Sequence, residues 1–304
     1  MVEIGVPNCW DCVTSLNKFG LVGVPNLLGL RNTPEQVRDS GNANKEVSLI
    51  LSIWQIIVVV VVGIVGGFVN TLAGGGSLLT LPALIFVGLP SGVANGTNRV
   101  AILIQNVTAV AGFKQQGLAD FKFSLELSAP AVVGAILGAR LAIDISDALF
   151  QKVLAAVMLL VVGLILWNPT RRWQGDQAVL SPQRRLLAAV AFFFVGLYGG
   201  FIQAGVGFII IAALVLITGL DLVRTNSHKV FVVGVYTLAA LATFALSGKV
   251  NWGIGLVLAV GNGIGGWIGS QWAVVGGEKW IKIVLAVTVV AMAAKLLGLI
   301  PAWP

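Results

Sequence analysis

Long apolar runs separated by short polar connections dominate this chain of 304 residues and restrict it to folds that a lipid bilayer can hold. A transmembrane helix needs about 20 consecutive apolar residues. Because hydrophobic residues make up 57% of the chain and charged residues only 10%, its composition argues against a soluble domain. The sequence therefore predicts an all-α, polytopic membrane protein in contact with lipid. The eight runs cover 49–70, 94–115, 123–143, 149–167, 186–204, 224–246, 251–275 and 280–299.

The two halves of the chain repeat one pattern. The segment VGIVGGFV at 62–69 is matched about 130 residues later by VGLYGGFI at 195–202, and both segments run on into glycines, at 74–76 and at 205–207. A duplication of glycine-interrupted apolar segments is typical of secondary transporters, whose substrate site lies where the repeats meet. We therefore predict two homologous repeats.

The predicted repeats occupy residues 48–168 and 186–304, after a leader at 1–47 that is partly disordered or interfacial. The connection at 169–185 is rich in arginine, so the positive-inside rule makes it a cytoplasmic linker. Four crossings in each repeat would make the repeats parallel, whereas five would make them inverted. A cytoplasmic amino terminus favours four.

Two further apolar stretches, at 78–87 and 208–218, are too short to span a membrane. At a rise of about 1.5 Å per residue they reach only about half of the hydrocarbon thickness. We predict one short broken or re-entrant helix in each repeat, in addition to four long helices.

The glycine turns before these short helices are the first candidate binding elements. Glycine allows close approach to a ligand, and the free N–H groups at a helix N-terminus carry partial positive charge. The alternative is a glycine hinge without a ligand. The candidate residues of the turns are Asn70, Gly75, Gly76, Ser77, Gln203, Gly205 and Gly207.

A polar cluster at the start of each following long helix is the second candidate. Asn95 and Thr225 have the character of N-caps. Arg99 and Lys229 oppose the helix dipole there, which suggests an anion or an acidic partner nearby, although snorkelling to headgroups is a rival explanation. The candidate substrate-binding residues of the clusters are Asn95, Thr97, Asn98, Arg99, Ser227, His228 and Lys229.

Ionisable side chains are scarce within the runs, and Glu126 is the one acidic residue well inside them. Cation transport by buried carboxylates therefore has little to work with, whereas amides, hydroxyls and a few cations suit a small oxyanion. No hydrolase or metalloprotease motif occurs, and the CxxC at Cys9 and Cys12 lacks further zinc ligands. We expect no enzyme activity, cofactor, metal or nucleic-acid partner.

The chain resembles the sulfite exporter TauE/SafE family of membrane permeases over residues 49–300. The resemblance rests on GGF at 66–68 through GGGS at 74–77, on NGTNR at 95–99 and on GAILGAR at 134–140. It implies transport of sulfite, sulfoacetate or other organosulfonates across the inner (cytoplasmic) membrane, with export as the direction. A small-anion channel is the alternative, and assembly into a homo-oligomer is left open. His228 departs from the first repeat, which has Asn98 at the matched position.

Overall fold

The computed structural model describes residues 53–118, 121–167 and 182–273, together with the single positions 290 and 294. Over these ranges the chain is helical and contains no strand. The predicted leader, most of the linker and nearly all of the last apolar run lie outside the described residues. The helices are α1 (Ile53–Ala73), α2 (Ser77–Phe86), α3 (Ser91–Gln115), α4 (Phe121–Ile143), α5 (Asp147–Trp167), α6 (Pro182–Phe201), α7 (Val206–Thr218), α8 (Leu222–Leu246) and α9 (Trp252–Trp272).

Five of the described helices are long and apolar enough to cross a membrane, namely α1, α4, α6, α8 and α9. Helix α3 is as long as any of them, at 25 residues, but its first half carries the polar cluster. The chain is thus a multi-pass membrane protein. Large apolar side chains such as Leu160, Leu186 and Phe194 are exposed on the outer faces of the helices, where lipid would cover them.

The short helices are confirmed where the sequence places them. Helix α2 has 10 residues and α7 has 13, and each follows directly on a glycine turn. The chain leaves α1 through Gly74 at φ +83° and enters α7 through Gly205 at φ +72°. Both values are in the left-handed region that glycine adopts without steric cost. The two glycine segments therefore break the helices as expected.

Helices from opposite halves of the chain pack in a reciprocal way. Helix α1 packs on α9, and α6 packs on α4. Glycines make these contacts, because a Cβ at Gly134 or Gly138 would overlap α6 and one at Gly261 or Gly265 would overlap α1. The GxxxG pairs therefore act as helix contacts. The two-repeat organisation itself stays a prediction, since the run at 280–299 lies outside the described residues.

The predicted N-caps of the long helices were wrong. Helix α3 begins at Ser91, so Asn95 lies inside the helix rather than at its cap. Helix α8 begins at Leu222, and its cap is Asp221, whose carboxylate accepts hydrogen bonds from the backbone N–H groups of Val223 and Arg224. Both helices start earlier than the polar clusters because helical backbone accommodates these clusters once their side chains find partners on other helices.

Candidate functional site

The two glycine turns touch each other. A Cβ at Gly207 would lie 2.7 Å from the carbonyl oxygen of Gly74, and one at Gly74 would lie 2.9 Å from the nitrogen of Phe208. Both separations are shorter than real Cβ atoms show, so only glycine fits at this contact. The start of α7 therefore packs backbone to backbone against the end of α1.

The two short helices both begin at this contact. The first backbone bonds of α2 run from Leu78 N–H to the Gly75 oxygen and from Leu79 N–H to the Gly76 oxygen, at 3.0 Å each. In α7, Phe208 N–H donates to the Gly205 oxygen at 3.1 Å. No side chain caps the start of either helix. The N–H groups of a helix's first turn lack acceptors within the helix and carry partial positive charge.

The candidate residues of the turns differ in their surroundings. Gly76 is closed off, because a Cβ there would lie 2.5 Å from that of Asn70. Ser77 is buried, and so are Gly75, Gly205 and Gly207. Asn70 is partly exposed. The turn residues thus lie together at the junction of the two halves, with little room beside Gly76.

Lys229 closes the C-terminal end of α1. Its Nζ donates to the carbonyl oxygens of Asn70 at 3.0 Å and Thr71 at 2.9 Å, and to Asn226 Oδ1 at 2.7 Å. Asn226 Nδ2 in turn donates to the Leu72 oxygen at 3.0 Å. The last carbonyls of a helix lack partners and form the negative end of its dipole, which a cation stabilises. We call Asn226 and Lys229 the Lys229 clamp.

Arg99 does the same for α6 from the other half of the chain. Its Nη1 donates to the Gly199 oxygen at 3.0 Å, and its Nη2 donates to the Gly200 oxygen. Asn95 Nδ2 donates to the Phe201 oxygen at 2.7 Å, and Asn95 Oδ1 accepts a bond from Arg99 Nη2 at 3.3 Å. We call Asn95 and Arg99 the Arg99 clamp. The Arg99 clamp lies on α3, after the short helix α2, and holds α6, which precedes the short helix α7. The Lys229 clamp lies on α8, after α7, and holds α1, which precedes α2.

Amide side chains extend both clamps inward. Asn70 Nδ2 donates to Gln105 Oε1, and Gln105 Nε2 donates to Thr71 Oγ1 at 2.8 Å. Gln203 Oε1 accepts a bond from Arg99 Nη1 at 2.7 Å, and Gln203 Nε2 donates to Thr237 Oγ1 at 3.0 Å.

Gln203 is the one non-glycine residue with a positive φ, +59°, among those that the structure describes. A left-handed conformation costs free energy for such a residue, and it persists where the surroundings impose it. The two hydrogen bonds of its side chain hold Gln203 in this conformation.

Two candidates of the first polar cluster hold neighbouring elements. Thr97 Oγ1 accepts the backbone N–H of Asn251 at 2.8 Å, just before α9 begins. Asn98 Oδ1 accepts a bond from Thr80 Oγ1 at 2.7 Å, which ties α3 to the short helix α2. Neither residue contacts the opposite turn through these bonds.

Two candidates of the second polar cluster point away from the turns. Ser227 Oγ donates to the Leu118 oxygen, and His228 Nδ1 lies 2.7 Å from Ser124 Oγ on α4. The His228 ring also packs edge-on against Phe123. The structure therefore separates Ser227 and His228 from Lys229, the member of that cluster that reaches the turns.

Several residues of this region carried weaker signals in the sequence. Gln105 is an amide inside a long apolar run, which by itself marks a functional position in a membrane helix. Asn226 directly precedes the three candidates of the second cluster, in the same polar run. Thr237 and Tyr236 gave no signal, because hydroxyl side chains are common in membrane helices.

Within the described ranges, no group of three or more His, Cys, Asp or Glu side chains is placed to hold a metal ion. Cys9 and Cys12 lie outside those ranges. The chemistry available near the turns is that of cations, amides, hydroxyls and backbone N–H groups.

Known proteins similar to this chain are membrane transporters. The family model described as "Sulfite exporter TauE/SafE" matches residues 59–296. A probable membrane transporter protein of Escherichia coli (strain K12) is 29% identical over 78% of this chain and 87% of its own length. A probable membrane transporter protein of Haemophilus influenzae is 28% identical over 77% of this chain and 91% of its own length.

The similarity is not confined to those species. A probable membrane transporter protein of Sinorhizobium is 26% identical over 78% of this chain and 90% of its own length. No solved structure matches the chain at a significant level. Since the family model covers more than half of the sequence, including both glycine turns and both clamps, the chain belongs to the sulfite exporter TauE/SafE family of membrane proteins.

Proposed function

We propose that this membrane transporter is a secondary carrier of small sulfur oxyanions such as sulfite, sulfoacetate or other organosulfonates. It acts in the cytoplasmic membrane, in the direction of export. The substrate class rests on the family description and on the chemistry of the residues near the turns. The observation that carries the proposal is the contact between the two glycine turns, flanked by the Arg99 and Lys229 clamps.

The sign of the buried charge supports an anionic substrate. Arg99 is 0% exposed and Lys229 is 2% exposed, and no Asp or Glu is found among the buried side chains of the described residues. A buried charge without a counter-charge is costly. Carbonyl and amide oxygens offset part of that cost here, and an anion close to the turns would offset more.

The donors around the turns support an oxyanion in particular. The N-termini of α2 and α7 offer backbone N–H groups, and the side chains of Asn70, Ser77 and Gln203 lie beside them. Fixed donors of this kind can replace the hydration shell of a small oxyanion. Broken helices with their N-termini near the substrate are a common solution in secondary transporters.

The proposal is tested by flux measurements in proteoliposomes that contain the full chain, with protein-free liposomes as the control. The panel is sulfite, sulfoacetate, sulfate and chloride. Saturable uptake of sulfite or sulfoacetate that is accelerated by the same anion on the opposite side is expected for the carrier. Ohmic single-channel currents would instead support the small-anion channel, and no flux of either sulfur anion would overturn the substrate assignment.

A further inference from the structure

Two buried polar atoms near the second glycine turn have no hydrogen-bond partner. Arg99 Nε is one, and the hydroxyl oxygen of Tyr236 is the other. Both side chains are 0% exposed. An unpartnered polar atom in such a position costs free energy, and in native proteins it marks a functional role or a ligand.

The donors of Arg99 can be counted one by one. A guanidinium has five N–H groups. The two on Nη1 serve Gly199 and Gln203, and the two on Nη2 serve Gly200 and Asn95. The N–H group on Nε remains.

Aromatic packing does not satisfy this last donor. The Arg99 guanidinium lies over the Phe244 ring at 4.7 Å from the ring centroid. Contact of this kind stabilises the charge of the guanidinium as a whole. The Nε–H group itself still has no hydrogen-bond acceptor.

The Tyr236 hydroxyl lies against the same piece of backbone as Arg99. A Cβ added to Gly199 would be 2.8 Å from that hydroxyl, and the Gly199 oxygen accepts a bond from Arg99 Nη1. Gln203 also links α3 to α8, because its side chain bonds to Arg99 on α3 and to Thr237, the neighbour of Tyr236, on α8. The absence of a side chain on Gly199 is what leaves room for the hydroxyl.

We propose that Arg99 Nε and the Tyr236 hydroxyl together bind an oxygen atom of the transported oxyanion, which rests on the proposed function above. A charged donor and a hydroxyl donor that converge on one oxygen favour a sulfite or sulfonate oxygen. Tyr236 is then a substrate-binding residue on α8.

The chain offers a matched control, because it contains two tyrosines. The other one, Tyr198, donates its hydroxyl hydrogen to the Ala204 carbonyl oxygen. The full chain is labelled with ¹³Cζ-tyrosine in lipid nanodiscs, and the two signals are assigned with the Tyr198→Phe variant. Titration with sulfite and with sulfoacetate should shift the Tyr236 signal saturably and leave that of Tyr198 in place.

Affinity supplies the second readout. Tyr236→Phe removes one oxygen atom and should weaken sulfite binding about tenfold without lowering the melting temperature, since a hydrogen bond to a charged group contributes about that much. Tyr198→Phe should lower the melting temperature, because it leaves the Ala204 oxygen unpaired, and should weaken sulfite binding less than Tyr236→Phe does. A purely structural role for the Tyr236 hydroxyl would lower the melting temperature and leave the affinity as it was.

The outcomes separate this inference from the proposed function. If the parent protein binds sulfite or sulfoacetate but either the Tyr236 signal or the affinity of Tyr236→Phe is unchanged, the inference is overturned and the proposed function stands. If the parent protein binds neither anion, the proposed function fails and the inference fails with it.

Discussion

The Arg99 clamp and the Lys229 clamp have the same arrangement and differ in whether the cation keeps an N–H group without a partner. In the Arg99 clamp, an asparagine and a cation on α3 bind the last carbonyl oxygens of α6. In the Lys229 clamp, an asparagine and a cation on α8 bind those of α1. An ammonium has three N–H groups, and Lys229 uses all three. Arg99 keeps one, on Nε.

This difference assigns separate tasks to the two cations. Lys229 can contribute its charge to an anion nearby, but in this conformation it has no hydrogen to donate. Arg99 contributes both its charge and one hydrogen bond. Its two Nη atoms are occupied, so the two-donor contact with a sulfonate that arginine often makes is not available to it here. The Arg99 clamp is therefore a binding clamp and the Lys229 clamp a structural one.

The largest effect is expected where the two glycine turns meet. Gly207→Ala places a Cβ against the backbone of the opposite turn, which cannot move aside as a flexible side chain would. Transport should fall below a tenth of the parent rate in the proteoliposome assay.

Gly92→Ala is the matched control for that change. A Cβ at Gly92 meets no atom within 4 Å, so its transport rate should stay near that of the parent protein. Equal rates for the two variants would mean that the contact between the turns has no part in transport.

Replacing the cations in turn separates the tasks of the two clamps. Arg99→Gln should weaken sulfite binding at least several-fold, and Arg99→Lys should recover part of that loss because it restores the charge. Lys229→Gln should lower the melting temperature, because it leaves carbonyl oxygens of α1 unpaired. Its sulfite affinity should fall less than that of Arg99→Gln.

Calorimetric titration and thermal unfolding of the same preparations measure the two quantities. If Lys229→Gln weakens sulfite binding more than Arg99→Gln does, and Arg99→Gln lowers the melting temperature more, the assignment of tasks is reversed.

Replacing the two asparagines should have a smaller effect, on stability, and here the Lys229 clamp should be the more sensitive of the two. The Nδ2 donations to backbone oxygens are the shorter for Asn95, at 2.7 Å against 3.0 Å for Asn226. The bond to the cation is the shorter for Asn226, at 2.7 Å against 3.3 Å for Asn95, and bonds to charged groups contribute more than bonds between neutral groups. Asn226→Ala should therefore destabilise the protein more than Asn95→Ala does, by about 1–3 kcal/mol for each buried group left unpaired. Unfolding of both variants in the same detergent tests the order, and a larger loss for Asn95→Ala would contradict it.

Arg224→Gln should have the smallest effect. Arg224 Nε lies 3.6 Å from Asp221 Oδ2, and both side chains are more than half exposed. Exposed pairs of this kind contribute about 0–1 kcal/mol. Neither sulfite affinity nor the melting temperature should change measurably; a several-fold loss of affinity would show that cations outside the clamps guide the anion.

Much of this fold could be predicted from the sequence, because the bilayer allows few solutions. The length of the apolar runs indicates the long helices, and the glycines at 74–76, 205 and 207 indicate where two helices break. The bounds at the polar clusters were wrong, since Asn95 and Thr225 read as caps only when their partners on other helices are unknown.

The site was less accessible to such reasoning. The sequence indicates that Arg99 and Lys229 need partners, but it cannot show that those partners are carbonyl oxygens of distant helices. His228 looked equivalent to Asn98 by position, yet it faces Ser124 on α4. Side-chain direction around a helix depends on packing between elements, and pattern matching along the chain does not contain that information.

We propose a site for a sulfur oxyanion where the two glycine turns meet, beside Arg99. Selenite has the shape and charge of sulfite, and its selenium scatters X-rays anomalously. In crystals of the full chain soaked with selenite, we expect an anomalous peak next to the turns, with a selenite oxygen within hydrogen-bonding distance of Arg99 Nε. A peak beside His228 instead, from protein that transports sulfite, would contradict it.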